Sequence, residues 1–145
     1  MAYFEANGLQ FEPLPVGVSP TALVQGIYHD TGRYGPAPVA SRPIYQDDPL
    51  SWPGVDGVVI VRHGFRGRLI FATLVFAGPL SFAHSEAKDT LETLASNTRY
   101  TISMPEGASY DGCKLQEAGQ GSFINMSGGV LLFIPAIFNQ FSLTN

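Results

Sequence analysis

Between residues 13 and 55 the chain is so densely punctuated by turn formers that no long helix fits there: Pro13, Pro15, Gly17, Pro20, Gly26, Gly32, Gly35, Pro36, Pro38, Pro43, Pro49, Pro53 and Gly54. Proline removes a backbone donor and clashes with the preceding helical turn, and glycine forfeits backbone entropy in any regular element. Short extended segments remain possible. Residues 22–28 have the best strand composition among them, and 41–45 are a weaker second. The first 55 residues are therefore expected to form a long irregular arm with short strands. Irregular stretches of that length are uncommon in a compact domain unless they are functional or contact something, so the arm is expected to lie on a neighbouring molecule.

From residue 56 the composition changes. Residues 58–61 and 68–77 are almost continuously apolar and read as two strands, with His63-Gly64-Phe65-Arg66-Gly67 as the turn between them. A continuous apolar run, rather than an alternating one, is what burial on two faces produces, so this pair is expected to be central. Gly78-Pro79 ends the second strand. Ser85 then offers a helix cap, Glu86 and Asp89 complement a helix N-terminus, and Ala87, Leu91, Leu94 and Ala95 form one apolar stripe. These features predict a single helix over about residues 85–97.

Beyond the helix, 100–104 and 109–117 read as a hairpin turning at Pro105-Glu106-Gly107. Glycines bracket a short segment at 122–126, and an apolar strand region runs from 130 to 143. Pro135 lies inside that region and cannot donate a ladder hydrogen bond, which predicts a bulge or an edge there. The expected fold is mainly β, an antiparallel β-sandwich or flattened barrel with one flanking helix. The expected organisation is a single domain over 1–145, with the arm at 1–55 and the core at 56–145.

Charge limits the function. Asp, Glu, Lys and Arg make up 14% of the 145 residues, where about 25% is usual. A deficit of this size points to surface covered by partner subunits. The net charge of -4 is the reverse of what phosphate neutralisation needs, so direct nucleic-acid binding is not expected. The longest apolar run is interrupted by Pro135 and falls short of the roughly 18 residues of a membrane-spanning helix, so no membrane insertion is expected. The start of the chain lacks the basic flank and apolar stretch of a secretory leader. With Cys113 the lone cysteine, no internal disulfide can form and a cytoplasmic site of synthesis fits.

Reactive constellations are thin. His29, His63 and His84 have no partner at metal-ligand spacing, so neither a metal nor a cofactor is expected. Cys113 stands on a predicted strand with only Lys114 as a basic neighbour and reads as buried core, not as a nucleophile. Asp30, Asp47 and Asp48 lie among prolines, where aspartate serves turns; adjacent residues on an extended segment point apart, so Asp47 and Asp48 do not make an acid–base pair. Gly119-Gln120-Gly121 lacks the helix and third glycine of a dinucleotide fingerprint. No catalytic residue is assigned, and no enzymatic activity is expected. The densest positive cluster, Arg62, Arg66 and Arg68 beside His63, suits carboxylates of an adjacent subunit. Together with Trp52 and Phe65 as apolar anchors, these arginines are the interface candidates.

The run Arg62-His63-Gly64-Phe65-Arg66-Gly67-Arg68-Leu69-Ile70-Phe71, the helical stretch 85–94, Tyr100-Thr101-Ile102-Ser103-Met104-Pro105 and Tyr110-Asp111-Gly112-Cys113-Lys114-Leu115 occur in a suggestive order. That order resembles the β-sandwich with one flanking helix of tail tube and distal tail proteins of tailed bacteriophages. The first 55 residues have no counterpart in it. The resemblance implies a non-enzymatic virion subunit, made in the host cytoplasm, whose partners are copies of itself and other virion proteins. A tail, baseplate or head-to-tail position and a capsid-decorating role all remain open. A different class of reading is a β-domain that binds a small molecule or carbohydrate on Tyr34, Tyr45 and Trp52. A hydrolase using a histidine and a carboxylate has no motif behind it.

Overall fold

The structure, a computed structural model, describes residues 3–15, 25–41, 44–50, 59–96, 98–126 and 129–140, and for 44–50, 59–66 and 126 the backbone path. The chain opens with a tight hairpin. Strand β1 (Phe4–Ala6) pairs antiparallel with β2 (Leu9–Pro13), matching Phe4 to Phe11 and Ala6 to Leu9. Asn7 and Gly8 turn the chain with positive φ values of 51 and 79°, as a two-residue turn between twisted strands requires. Strand β3 (Gly26–His29) then lies parallel to β2, pairing Tyr28 with Glu12 and His29 with Pro13. The expected N-terminal arm is thus corrected: β1, β2 and β3 are built into the body of the protein. Their prolines and glycines fall at strand ends, so the punctuation divides short strands and does not abolish them.

Two further strands follow, β4 (Val39–Ala40) and β5 (Ile44–Leu50), and then β6 (Val59–Gly78), which runs for 20 residues without reversing. The turn expected at 63–67 does not form. Residues 59–67 of β6 pair instead with β5, with register shifts at Ile44/Tyr45 and Gln46/Asp47. Those shifts leave Arg66 and His63 without a partner across the ladder, so this glycine-containing stretch makes two bulges. Gly67 has φ of 150°, and a Cβ there would press on Asn139 Oδ1 at 2.6 Å. Beyond Gly67, β6 pairs with β4 at Ile70 and Phe71, with β3 from Leu74 to Ala77, and on its other side with the last strand. The centrality expected for the 68–77 segment is what the structure has.

After β6 comes helix α1 (Leu80–Leu94). It starts five residues earlier than the expected 85 and ends before 97. Pro79, at φ −56°, is the N-cap without a side-chain cap bond, so a fixed proline φ, not the hydroxyl of Ser85, sets the start. Its buried face is Ala83, Ala87, Thr90 and Leu94; Ala95 is exposed. Strands β7 (Tyr100–Ser103) and β8 (Ser109–Ala118) form the expected hairpin, followed by β9 (Ser122–Met126) and β10 (Gly129–Gln140).

Seven strands close into a barrel in the order β6-β3-β2-β1-β7-β8-β10, with β10 returning to β6. The fold is mainly β, and of the two expected architectures it takes the closed one. Along one side of β10, β8 and then β9 pair in succession, and the Gly119 amide donates to the Pro135 carbonyl at 2.7 Å. In an antiparallel strand a residue's N and O face the same neighbour. The donor that Pro135 lacks therefore faces the link between β8 and β9, where the ladder is already interrupted.

Alternation fills the interior. Ile70, Leu74 and Phe76 from β6 meet Leu132, Ile134 and Phe138 from β10, and Phe4, Phe11, Tyr100, Ile102 and Cys113 from the other strands. The Phe4 ring lies 5.9 Å from both Phe11 and Phe138. Ala83, Ala87 and Leu94 of α1 join the same cluster, Asn7 Nδ2 donates to Thr93 O, and the Tyr100 hydroxyl donates to Leu94 O at 2.6 Å. The helix is thereby seated at the end of the barrel where β6 stops and β7 begins.

Candidate interaction site

β6 is about twice as long as the part of it that closes the barrel. Its remaining portion, residues 59–67, pairs with β5 as a two-stranded ribbon that lies off the path of strands closing the barrel. The register matches Asp47 to Arg62, Asp48 to Val61, Tyr45 to Phe65 and Ile44 to Gly67. Among the described residues no strand pairs with the outer edge of β5, nor with the other edge of β6 along 59–67. A two-stranded ribbon is at best marginally stable alone in water, and its edges present unpaired backbone groups.

The structure brings three of the five interface candidates together: Arg62, Phe65 and Arg66 all lie on the ribbon part of β6. Arg68 sits apart, at the junction of ribbon and barrel, where its half-buried guanidinium lies 4.7 Å from the centre of the Tyr110 ring. Trp52 lies outside the described residues. The strand opposite carries Asp47 and Asp48, residues whose expected role is in turns; the structure places them in β5.

A second feature covers the outer face of the barrel. Asp30 is fully buried, and its carboxylate accepts backbone N–H bonds from Gly32 (3.2 Å), Arg33 (3.0 Å) and Tyr34 (2.6 Å). The turn role expected for Asp30 is the role it has. The strap so formed sets the Tyr34 ring 4.6 Å from Phe133 and lays Gly35 against the Thr73 side chain. Beneath and beside it, Leu14, Tyr28, Val75, Ala77, Leu131 and Phe133 form a smaller apolar cluster. Tyr34 is therefore engaged with the barrel wall, Tyr45 belongs to β5 in the ribbon, and Trp52 is not described.

The groups with reactive chemistry occupy separate places. His29 is buried on β3, with Nδ1 3.2 Å from Asp30 O and its ring edge-on to Phe4. His84 is exposed on α1, with its ring 5.4 Å from Phe123, and His63 is a bulge residue of the ribbon. Cys113 is a barrel-interior residue whose thiol donates to Tyr110 O at 3.2 Å. Burial pushes its pKa up to about 11, which keeps it a neutral thiol at physiological pH. Burial likewise raises the Tyr100 phenol above its ordinary range. Among the described residues no helix is long and apolar enough to cross a membrane. Comparison with protein-family models, with curated proteins and with solved structures returns no significant match for this chain.

Proposed function

We propose that this chain is a non-enzymatic structural subunit that works by associating with further copies of itself and with neighbouring proteins, as a tail, baseplate or head-to-tail subunit of a bacteriophage particle does. The observation that carries the reading is the ribbon of β5 and residues 59–67 of β6, a pair of strands with neither outer edge paired among the described residues, on an otherwise closed barrel. A protein that closes its sheet removes its edges; one that then extends a strand pair beyond the closure has surface to offer a partner. Two further features support the reading. The barrel interior is occupied by Phe4, Phe11, Phe76 and Phe138, and charge is sparse at 14% of residues. The helix, the β7–β8 hairpin and the strands after it keep the order that carries the resemblance to tail tube and distal tail proteins. The turn at 63–67 no longer contributes to it, and a virion location rests on that remaining resemblance.

The test is the mass of the purified chain by sedimentation and light scattering, compared with a variant in which residues 45–66 are replaced by a short turn joining Ile44 to Gly67. Removal of residues 1–55 is no test, because it takes three strands out of the barrel. The expected result is an oligomer for the full chain and a folded monomer for the shortened one. A full chain that stays monomeric, or a shortened chain that assembles equally well, overturns the reading.

A further inference from the structure

The ribbon joins two strands of opposite charge. β5 carries Asp47 and Asp48 and no basic residue. Residues 59–67 of β6 carry Arg62 and Arg66, with no acidic residue. The two edges of the ribbon, neither paired among the described residues, therefore differ: one belongs to an acidic strand, the other to a basic strand. Within the ribbon only Asp47 is matched to a basic residue, Arg62. Across the ladder Asp48 is matched to Val61, and Arg66 stands at a bulge.

From this we infer that the occupant of the ribbon is the ribbon of a second copy of the chain, docked head to tail, with the acidic strand β5 of one molecule beside the basic part of β6 of the next. The inference rests on the self-association proposed above and adds its polarity. Opposite charges on adjacent strands attract and like charges repel, so β5 against β5 and β6 against β6 are both disfavoured. Pro49 removes one backbone donor from β5 and two bulges break the regularity of β6, features that limit indiscriminate strand addition and leave charge to choose the partner. A head-to-tail contact uses two different surfaces of each molecule, so each subunit binds two others and the assembly is a ring if the rotation closes.

The experiment uses two single substitutions in the full chain, Asp48→Lys and Arg66→Glu, neither at a position matched in register to a charged residue. Sedimentation velocity is measured on each alone and on their equimolar mixture, with circular dichroism to confirm the barrel. Each variant alone is expected to lose association about tenfold or more at low salt, while the mixture recovers it, because the reversed β5 of one meets the reversed β6 of the other. Asp48→Asn and Arg66→Gln are expected to weaken association less, without recovery on mixing. A wild-type chain that never associates defeats the function proposed above. A wild-type chain that associates while both reversals assemble normally, or whose mixture shows no recovery although each variant is folded, defeats the head-to-tail arrangement alone.

Discussion

Replacement of Asp30 by alanine removes a carboxylate that is fully buried and that accepts three backbone amides, at 3.2, 3.0 and 2.6 Å. A hydrogen bond to a charged group contributes roughly 1.5–3 kcal/mol, and such bonds within one cluster do not add. The three donors belong to residues that are themselves exposed, Gly32, Arg33 and Tyr34, so water recovers part of the loss when the carboxylate goes. The bond from the Asp30 amide to Thr73 O is kept, since it is made by the backbone. The net cost is therefore about 3 kcal/mol, well below the sum of three bonds. In a domain of this size about 3 kcal/mol lowers Tm by roughly 10 °C. Asp30→Asn keeps an acceptor for two amides but turns an NH2 toward the Tyr34 amide, and about 2 kcal/mol is expected. Thermal melting followed by circular dichroism reads both, and hydrogen exchange at residues 32–34 reads the strap directly. An alanine variant melting within about 2 °C of the wild type, or unchanged exchange at those amides, refutes the claim that Asp30 fastens the strap to the barrel.

Phe138→Ala removes a fully buried interior ring in contact with Phe4, and equilibrium urea unfolding is expected to show a loss of about 3–5 kcal/mol; a loss below about 1 kcal/mol contradicts a filled barrel. Gly35→Ala sets a methyl group against the buried side chain of Thr73, with an expected cost of about 1–3 kcal/mol by the same assay; a neutral result means the strap is not seated on the wall. Cys113 titrates near 9.0 when unperturbed and near about 11 when folded, so the unfolded chain releases this proton first. Its contribution is fully present below pH 9 and is lost as pH rises toward 11. Tyr100, also raised by burial from 10.0, adds a loss of the same sign that begins above pH 10 and continues beyond the Cys113 window. Urea unfolding across this range checks it, and Cys113→Ala is expected to flatten the lower part of the decline.

Much of the barrel wall was legible because apolar continuity tracks burial on two faces. Residues 72–77 of β6 and 130–134 of β10 are all buried, and Pro135 falls where the ladder is interrupted. The hairpin of β7 and β8 followed from its turn residues. Asn7-Gly8, set between Phe4, Ala6 and Leu9, Phe11, is a strong hairpin signal that would have placed β1 and β2; the proline density that follows it masked the pattern. β5 was not legible, since Asp47, Asp48 and Pro49 disfavour strands. Pairing with β6 overrides that local preference, as cross-strand context commonly does. The same pairing explains why His63 to Gly67 forms bulges in a continuing strand: glycine serves both a reversal and a bulge, and the choice depends on whether a second strand lies alongside. The helix begins before Ser85 because Pro79 supplies the backbone angle of the N-cap, whereas Ser85 carries the commoner hydroxyl signal inside the helix. Barrel closure rests on the parallel match of β2 with β3 and the match of β1 with β7. The first joins consecutive strands in parallel and the second joins strands far apart along the chain, and local pattern encodes neither.

Native mass spectrometry of the intact chain tests the central claim most directly. A subunit that binds its own kind through the ribbon is expected to appear as a defined multiple of 15.6 kDa and to revert toward single chains when salt is raised. A species of 15.6 kDa alone, at every concentration and at low salt, contradicts the account.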